Sequence, residues 1–141
     1  MAPLRGNQSS ATVKSVDRGW DFTISTDESS DRVLVILTGP FLRGEAHDKL
    51  HARLDELIRG TVQCVVLDLR EIVRLDSSAI GELSYFVGSK KAIGAVFAVL
   101  PQYHAPHDLL VRTKFVQQVD VSSSREEAVG KADRWLKKSA N

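Results

Sequence analysis

The first patterned segment of the chain alternates apolar and polar side chains. Trp20–Thr26 has this alternation, which predicts a half-buried strand. The polar turn Asp27–Asp31 separates it from the β-branched run Val33–Leu37, which stops at Gly39 and Pro40. Two such runs joined by a short polar turn predict a β-hairpin.

The period then changes from two to that of a helix. Apolar residues recur at helical spacing between Ala46 and Ile58, and Gly60 supplies a C-terminal stop signal. The next run, Gln63–Leu69, is dense in Val and Leu, as expected for a central strand of a parallel sheet. A helix and a buried strand therefore follow the hairpin.

The same alternation continues in the second half. Asp76, Ser77 and Ser78 are good helix N-caps, and the apolar residues that follow at helical spacing predict a second helix. Ala95–Leu100, which ends at Pro101, predicts another buried strand.

The C-terminal part adds three more elements. Pro106–Arg112 predicts a short helix, Phe115–Val119 a last short strand, and the capping box that begins at Ser124 opens a final helix. The predicted order is β-β-α-β-α-β-α-β-α. Alternating strands and helices indicate an α/β domain with a mostly parallel sheet and right-handed crossovers.

Length and composition agree with one domain. The chain has 141 residues, of which residues 1–18 are polar and predict a loose tail, so the domain is expected at residues 19–138. With 19 basic and 18 acidic side chains, the net charge of +1 gives no reason to expect a nucleic-acid surface.

Cysteine and hydropathy indicate the compartment. Cys64 is the one cysteine and lies in an apolar run, so it predicts a buried thiol and excludes an internal disulfide. No apolar stretch reaches the ~18 residues of a membrane helix, and Met1–Ser10 lacks the apolar core of a secretory signal. We therefore expect a cytoplasmic protein that does not insert into membranes.

Enzyme signatures are missing from the sequence. There is no G-x-S-x-G elbow, Walker loop, dinucleotide fingerprint or C-x-x-C pair, so no sequence motif marks a catalytic residue. His47 and His51 have the i, i+4 spacing of two metal ligands, and Asp48 or Asp55 could join them. A solvated helix face is the favoured interpretation of this pair, and no metal site is predicted.

The serines at the predicted helix start are the most informative polar group. Free backbone N–H groups and the helix dipole favour negative charge there, by about 0.3–1 kcal/mol. A phosphate on Ser78 would add about −1.5 to −2 charges to the surface. Against an acidic or apolar partner that charge would be costly, so the position suits a switch. Taken alone, however, Asp76-Ser77-Ser78 is better explained as a plain N-cap.

Three segments resemble a known family. Val33–Gly39 (VLVILTG), Cys64–Leu69 (CVVLDL) and Leu75–Gly81 (LDSSAIG) occur in the order and at about the spacing found in STAS domains, and the chain resembles bacterial anti-sigma factor antagonists (anti-anti-sigma factors). The resemblance runs from about Trp20 to Leu136, and the Asp-Ser-Ser block is its most specific part.

The resemblance implies a fold and a function. It implies a mixed sheet of four to five strands with helices mainly on one face, no cofactor and no catalysis. Such proteins bind an ATP-using anti-sigma factor kinase, which phosphorylates the serine equivalent to Ser78 until a phosphatase reverses the modification. With the loop after Gly39, the implied partner-binding residues are Asp76, Ser77, Ser78, Ala79, Phe41, Leu42 and Arg43.

Two positions depart from the family pattern. Ala79 replaces the usual glycine, and its methyl group is expected to hinder a close partner. The loop after Gly39 usually carries an acidic residue, whereas here it reads Pro40-Phe41-Leu42-Arg43. Arg43 is a candidate to pair with a phosphate or an acidic partner. Phe41 and Leu42 either contact the partner or pack in the core.

Two other functions stay open at this point. An unphosphorylated adaptor, in a stress-signalling assembly or as an accessory subunit of a lipid transporter, fits the same fold. A small metal-dependent or serine enzyme is the third, although Ser78 has no flanking glycine and no evident base.

Overall fold

The computed structural model describes residues 21–29 and 31–139. The predicted tail and Trp20 lie outside these residues. The elements, in chain order, are β1 (Thr23–Glu28), β2 (Arg32–Phe41), α1 (Glu45–Arg59), β3 (Cys64–Leu75), α2 (Ser77–Lys91), β4 (Ala95–Val99), α3 (His104–Arg112), a short 3-10 turn (Phe115–Gln117), β5 (Asp120–Ser122) and α4 (Arg125–Ser139).

The strands of the described residues form one five-stranded sheet in the order β1-β2-β3-β4-β5. β1 and β2 are antiparallel, with Thr23 opposite Thr38 and Glu28 opposite Val33, so the predicted hairpin is confirmed. All other neighbours are parallel, and helices connect them, as the alternating pattern predicts.

Burial explains why the strands differ in pattern. In β2 every second residue from Val33 to Phe41 is buried, because one face of this strand is covered. In β3 the first six residues, Cys64–Leu69, are all buried, because both faces of the sheet are covered there. A continuous apolar run therefore marks the centre of the sheet.

The core has two parts. On one face of the sheet α1, α2 and α3 contribute Leu50, Leu83 and Leu110 to the larger cluster. On the other face α4 packs Ala128 and Ala132 against β3 and β4. Three of the four helices in the described residues share one face, which agrees with the expectation of helices mainly on one side.

Cys64 lies under α4 in the second cluster and is fully buried, as predicted. Desolvation raises the pKa of its thiol to about 11. The group is therefore a protonated, apolar filler at neutral pH.

The capping box of α4 forms with one change. Ser124 Oγ accepts a hydrogen bond from the backbone N–H of Glu127 at 3.0 Å, as predicted. The Glu127 carboxylate reaches back to the N–H of Ser123 at 2.6 Å rather than to that of Ser124. The two hydrogen bonds satisfy one backbone N–H group inside the first turn of α4 and one before it.

The predicted strand Phe115–Val119 is wrong. Phe115 begins the 3-10 turn, and its side chain is fully buried in the larger cluster. Lys114 before it has a φ of 66°, which ends α3. The strand comes later, where Asp120 lies opposite Phe97. The apolar residues of this segment are explained by packing against the larger cluster, with Phe115 fully buried and Val116 and Val119 partly buried.

Strand β3 is longer than predicted, and its extension positions the site. Beyond β4 it continues to pair with β2, as far as Pro40 opposite Arg74 and Phe41 opposite Leu75. The two strands therefore end side by side. The turn that follows β2 and the residue that follows β3 therefore lie next to each other at the carboxyl-terminal ends of these two strands. Among the described residues, none of the helices has the length and apolar character to cross a membrane.

Candidate functional site

The site is built around Asp76, which follows β3 directly. Asp76 has extended backbone angles and caps α2, with its Oδ1 atom accepting a hydrogen bond from the N–H of Ala79 at 3.1 Å. The Ser78 hydroxyl donates to the same oxygen at 2.6 Å. The N-cap interpretation of the Asp-Ser-Ser block is therefore confirmed, and a side-chain hydrogen bond also holds the Ser78 hydroxyl.

The second carboxylate oxygen of Asp76 reaches the other strand. Oδ2 accepts a hydrogen bond from the backbone N–H of Arg43 at 2.7 Å. Gly44, the next residue, has a φ of 117° and precedes α1, so this short turn needs a glycine. One carboxylate thus joins the start of α2 to the turn 42–44. We call Leu42, Arg43, Asp76, Ser77 and Ser78 the Ser78 site.

These contacts keep Asp76 ionised. Desolvation is the largest influence on the pKa of Asp76 and acts to raise it. Hydrogen bonds from the Ser78 hydroxyl and from the N–H groups of Arg43 and Ala79 act against it, and together they hold the pKa below its usual value. The Asp76 carboxylate therefore carries a negative charge at neutral pH, beside the positive charge of Arg43.

The seven predicted partner-binding residues divide into two groups. Ser77 and Arg43 are exposed, and Leu42, Asp76 and Ser78 are partly exposed. Phe41 and Ala79 are completely buried (0 % exposed) and belong to the larger core cluster, so their side chains offer no surface to a partner. Of the seven predicted partner-binding residues, the five of the Ser78 site therefore remain candidates for contact with a partner.

Both buried residues settle questions that the sequence leaves open. The ring of Phe41 meets that of Phe22 edge to face, with the centroids 5.6 Å apart, so Phe41 packs in the core. The methyl group of Ala79 points into the core as well. The expectation that this methyl hinders a partner is wrong, because it lies on the inner side of the helix.

Arg43 presents a cation at this surface that has no ion-pair partner within the described part of the chain. Its backbone is held by Asp76, whereas its guanidinium group makes no ion pair or hydrogen bond with any other described residue. Its pairing with a phosphate or with an acidic partner stays a prediction.

His47 and His51 point from α1 towards α2 and meet Glu82 there. The distance from His47 Nε2 to Glu82 Oε2 is 3.1 Å, and that from His51 Nδ1 to Glu82 Oε1 is 2.8 Å. The hydrogen bond with Glu82 is the main reason why the pKa of His51 is raised. Within residues 21–29 and 31–139, no three His, Cys, Asp or Glu side chains are arranged to hold a metal ion. Glu82 has no sequence signal beyond its helical spacing.

A second carboxylate was also missed by the sequence reasoning. Asp68 is almost fully buried in β3, and its Oδ2 atom accepts a hydrogen bond from Arg125 Nε at 2.7 Å. Its Oδ1 atom accepts another from the N–H of Arg70 at 3.1 Å. An aspartate inside an apolar strand is a signal that could have found this pair, since a buried charge needs a partner.

Lys90 near the end of α2 is buried as well, with 1 % of its surface exposed. Its Nζ atom donates a hydrogen bond to the carbonyl of Val62 at 2.7 Å, and desolvation lowers the pKa of the amine. This contact fastens the C-terminal end of α2 to the segment that leads into β3.

Comparison with protein families gives one match over most of the chain. The STAS domain family matches residues 23–128. A comparison with curated protein sequences finds no significant match.

Solved structures give the same fold. An anti-sigma factor antagonist from Mycobacterium paratuberculosis has a TM-score of 0.71 at 13% identity, with 79% of this chain and 94% of that chain covered. The anti-sigma factor antagonist SpoIIAA in its unphosphorylated form has a TM-score of 0.65 at 16% identity, with 77% and 94% covered. The Bacillus cell fate determinant SpoIIAA in its phosphorylated form has a TM-score of 0.61 at 16% identity, with 77% and 97% covered. At these identities the likeness establishes the fold.

Proposed function

Because the chain belongs to the STAS domain family, we propose that it is a regulatory protein-binding module that contacts its partner through the Ser78 site. In this proposal the partner is an anti-sigma factor that is also an ATP-using serine kinase, as the family resemblance implies. The protein itself is not an enzyme and uses no cofactor. It works in the cytoplasm of a bacterium, where phosphorylation of Ser78 ends the interaction and a phosphatase restores it.

The observation that carries this proposal is the arrangement of the first turn of α2. Ser77 and part of Ser78 are open to solvent, and Leu42 and Arg43 lie beside them on the turn after β2. Hydroxyl, apolar and cationic groups therefore lie on the two segments that Asp76 joins. Backbone N–H groups of the turn tolerate a negative charge, so modification at Ser78 changes the surface without unfolding the helix.

Phosphorylation changes this surface by simple chemistry. The Ser78 oxygen forms a bond to the γ-phosphorus of ATP, the bond between that phosphorus and the bridging oxygen breaks, and ADP leaves. The hydroxyl proton passes to a base on the kinase. The serine then carries about −1.5 to −2 charges. Burying this charge against an apolar or acidic partner would weaken binding by tenfold for about every 1.4 kcal/mol lost.

A second candidate function is an adaptor that is never phosphorylated. It is favoured by the Asp76 carboxylate, which lies 2.6 Å from the Ser78 hydroxyl and would repel a phosphoryl group. The loop after Gly39 lacks the acidic residue that is usual in the family, which also favours the adaptor. Binding would then depend on the same surface but not on its charge state.

Phosphorylation by a serine kinase encoded beside this gene tests the first candidate. The purified protein is incubated with the kinase and Mg-ATP, and its intact mass is measured. We expect the mass of a single phosphoryl group to be added to the wild type and to Ser77→Ala, and nothing to be added to Ser78→Ala. The Ser77→Ala protein is the matched control because its serine is adjacent and exposed.

Binding of the same kinase completes the test. We expect Ser78→Glu to bind it at least about tenfold more weakly than the wild type, and Ser77→Glu to bind with a smaller loss. Tight binding without any change of mass in the presence of Mg-ATP would support the adaptor instead.

A further inference from the structure

The Asp76 carboxylate is shared between two elements that are far apart in sequence. Its Oδ1 atom accepts the Ser78 hydroxyl and the Ala79 N–H, and its Oδ2 atom accepts the Arg43 N–H. Any change at the Ser78 oxygen therefore acts on the same side chain that holds the turn 42–44. This connection joins the proposed phosphorylation site to the backbone after β2.

A phosphoryl group at Ser78 is incompatible with the present position of Asp76. The hydroxyl donates its proton to Asp76 Oδ1 at 2.6 Å, and phosphorylation removes this donor and replaces it with anionic oxygens. Asp76 can leave, because phosphate oxygens at the first turn of α2 can accept the N–H groups that the carboxylate now caps. When Asp76 leaves, the Arg43 N–H loses its acceptor.

Arg43 offers the replacement contact. It is the residue whose amide Asp76 holds, it is exposed, and its guanidinium group has no partner among the described residues. A guanidinium group binds phosphate through two parallel hydrogen bonds.

We propose that a phosphoryl group on Ser78 exchanges the tether, that is, the contact that holds the turn 42–44. In the unmodified protein Asp76 binds the Arg43 amide, and in the phosphorylated protein the phosphate binds the Arg43 side chain instead. The inference rests on the proposed function, since it assumes that Ser78 is the modified residue. It adds that the modification changes the position of the turn as well as the charge of the site. A partner that contacts Leu42 and Arg43 would then sense both changes.

Hydrogen exchange of the Arg43 amide tests the loss of the first tether. Phosphoserine is incorporated at position 78 of the full-length chain during translation, so that no kinase is required. By NMR we expect the Arg43 amide to exchange about tenfold faster than in the unmodified protein. Phosphoserine at position 77 is the matched control, because the Ser77 side chain is exposed and makes no hydrogen bond to Asp76 in the structure. An unchanged Arg43 amide in the phosphoserine-78 protein, or an equal change in the control, would overturn the proposal.

The phosphate titration tests the second tether. Phosphoserine has a second pKa of about 6, and a bound guanidinium group favours the dianion. In the phosphoserine-78 protein we expect a lower phosphate pKa by ³¹P NMR than in the same protein with Arg43→Gln, and Arg43→Lys should restore part of the difference. Equal titration curves for the wild-type and Arg43→Gln backgrounds would overturn the proposal.

These measurements are independent of the partner. If no kinase modifies Ser78 in the wild type, the proposed function fails, but the response of the phosphoserine-78 protein still decides whether the tether exchanges. If a kinase modifies Ser78 and the Arg43 amide does not respond, the proposed function stands and the exchange of tethers is wrong.

Discussion

Two aspartates of the same strand region hold the protein together in different ways. Asp68 lies inside β3 and is 3 % exposed, and its partners are the guanidinium group of Arg125 at the start of α4 and the backbone N–H of Arg70. Asp76 follows β3 at the surface, and its partners are two backbone N–H groups and the Ser78 hydroxyl. The first carboxylate is balanced by a permanent charge, and the second by neutral donors.

The difference separates a structural contact from an adjustable one. A guanidinium group keeps its charge at every physiological pH, so the Asp68 contact is constant and fastens α4 to the sheet. A hydroxyl can be replaced by an anionic group, so the balance at Asp76 can be reversed by one modification. Burial suits the first arrangement and exposure the second.

The largest expected effect comes from breaking the pair between the buried Asp68 and the partly exposed Arg125. Arg125→Ala leaves the Asp68 carboxylate buried without its cation, and we expect the free energy of unfolding to fall by about 3 kcal/mol. Urea denaturation measures this loss. Arg112→Ala is the matched control, because Arg112 pairs with the exposed Asp108 one turn earlier in α3 and should cost no more than about 0.5 kcal/mol. A similar small loss for both variants would show that Asp68 does not depend on Arg125.

Removal of the surface carboxylate should have a smaller effect. Asp76→Ala removes the cap of α2 and the acceptor of the Arg43 N–H, and we expect a loss of about 1–2 kcal/mol by urea denaturation. Water can replace part of both contacts because the site is partly exposed. A loss as large as that of Arg125→Ala would contradict the distinction between the two aspartates.

The Ser78 hydroxyl alone should contribute less again. Ser78→Ala removes a single donor to Asp76, so the expected loss in the free energy of unfolding is about 0.5–1 kcal/mol. Ser77→Ala, in which an exposed serine is changed, should stay within about 0.5 kcal/mol of the wild type. A Ser78→Ala protein that fails to fold would mean that the serine is structural and unsuited to a switch.

The pair of His51 and Glu82 extends the comparison of the two aspartates, because the histidine can lose its charge whereas Arg125 cannot. The folded-state pKa of His51 is raised, mainly by the hydrogen bond with Glu82, so its stabilising effect is present below the unfolded pKa of about 6.5 and is lost as pH rises through the folded value. Since His51 is exposed, we expect its effect on stability to be smaller than those of Arg125→Ala, Asp76→Ala and Ser78→Ala. The midpoints of urea unfolding for the wild type and His51→Gln should therefore differ more at about pH 5 than at about pH 8. A constant difference would mean that the charge of His51 plays no part.

Much of the fold follows from local patterns. The hairpin, the central strand and the apolar stripe of α2 are confirmed, since period-two and helical spacing report which face of each element is buried. The last strand is misplaced, because the sequence does not show that Phe115 turns into the core before the chain reaches β5. For the candidate site, the N-cap was readable because its hydrogen bonds join residues two or three positions apart.

What the sequence by itself determined was the set of elements, their order and the cap at Asp76, because each depends on neighbours within a few positions. The tertiary structure decided which distant groups meet. Arg43 and Asp76 are 33 residues apart, and they touch because β2 and β3 remain paired up to Phe41 and Leu75. Asp68 and Arg125 are 57 residues apart and meet because α4 packs over the sheet. Such contacts depend on strand register and helix packing, which no local pattern records.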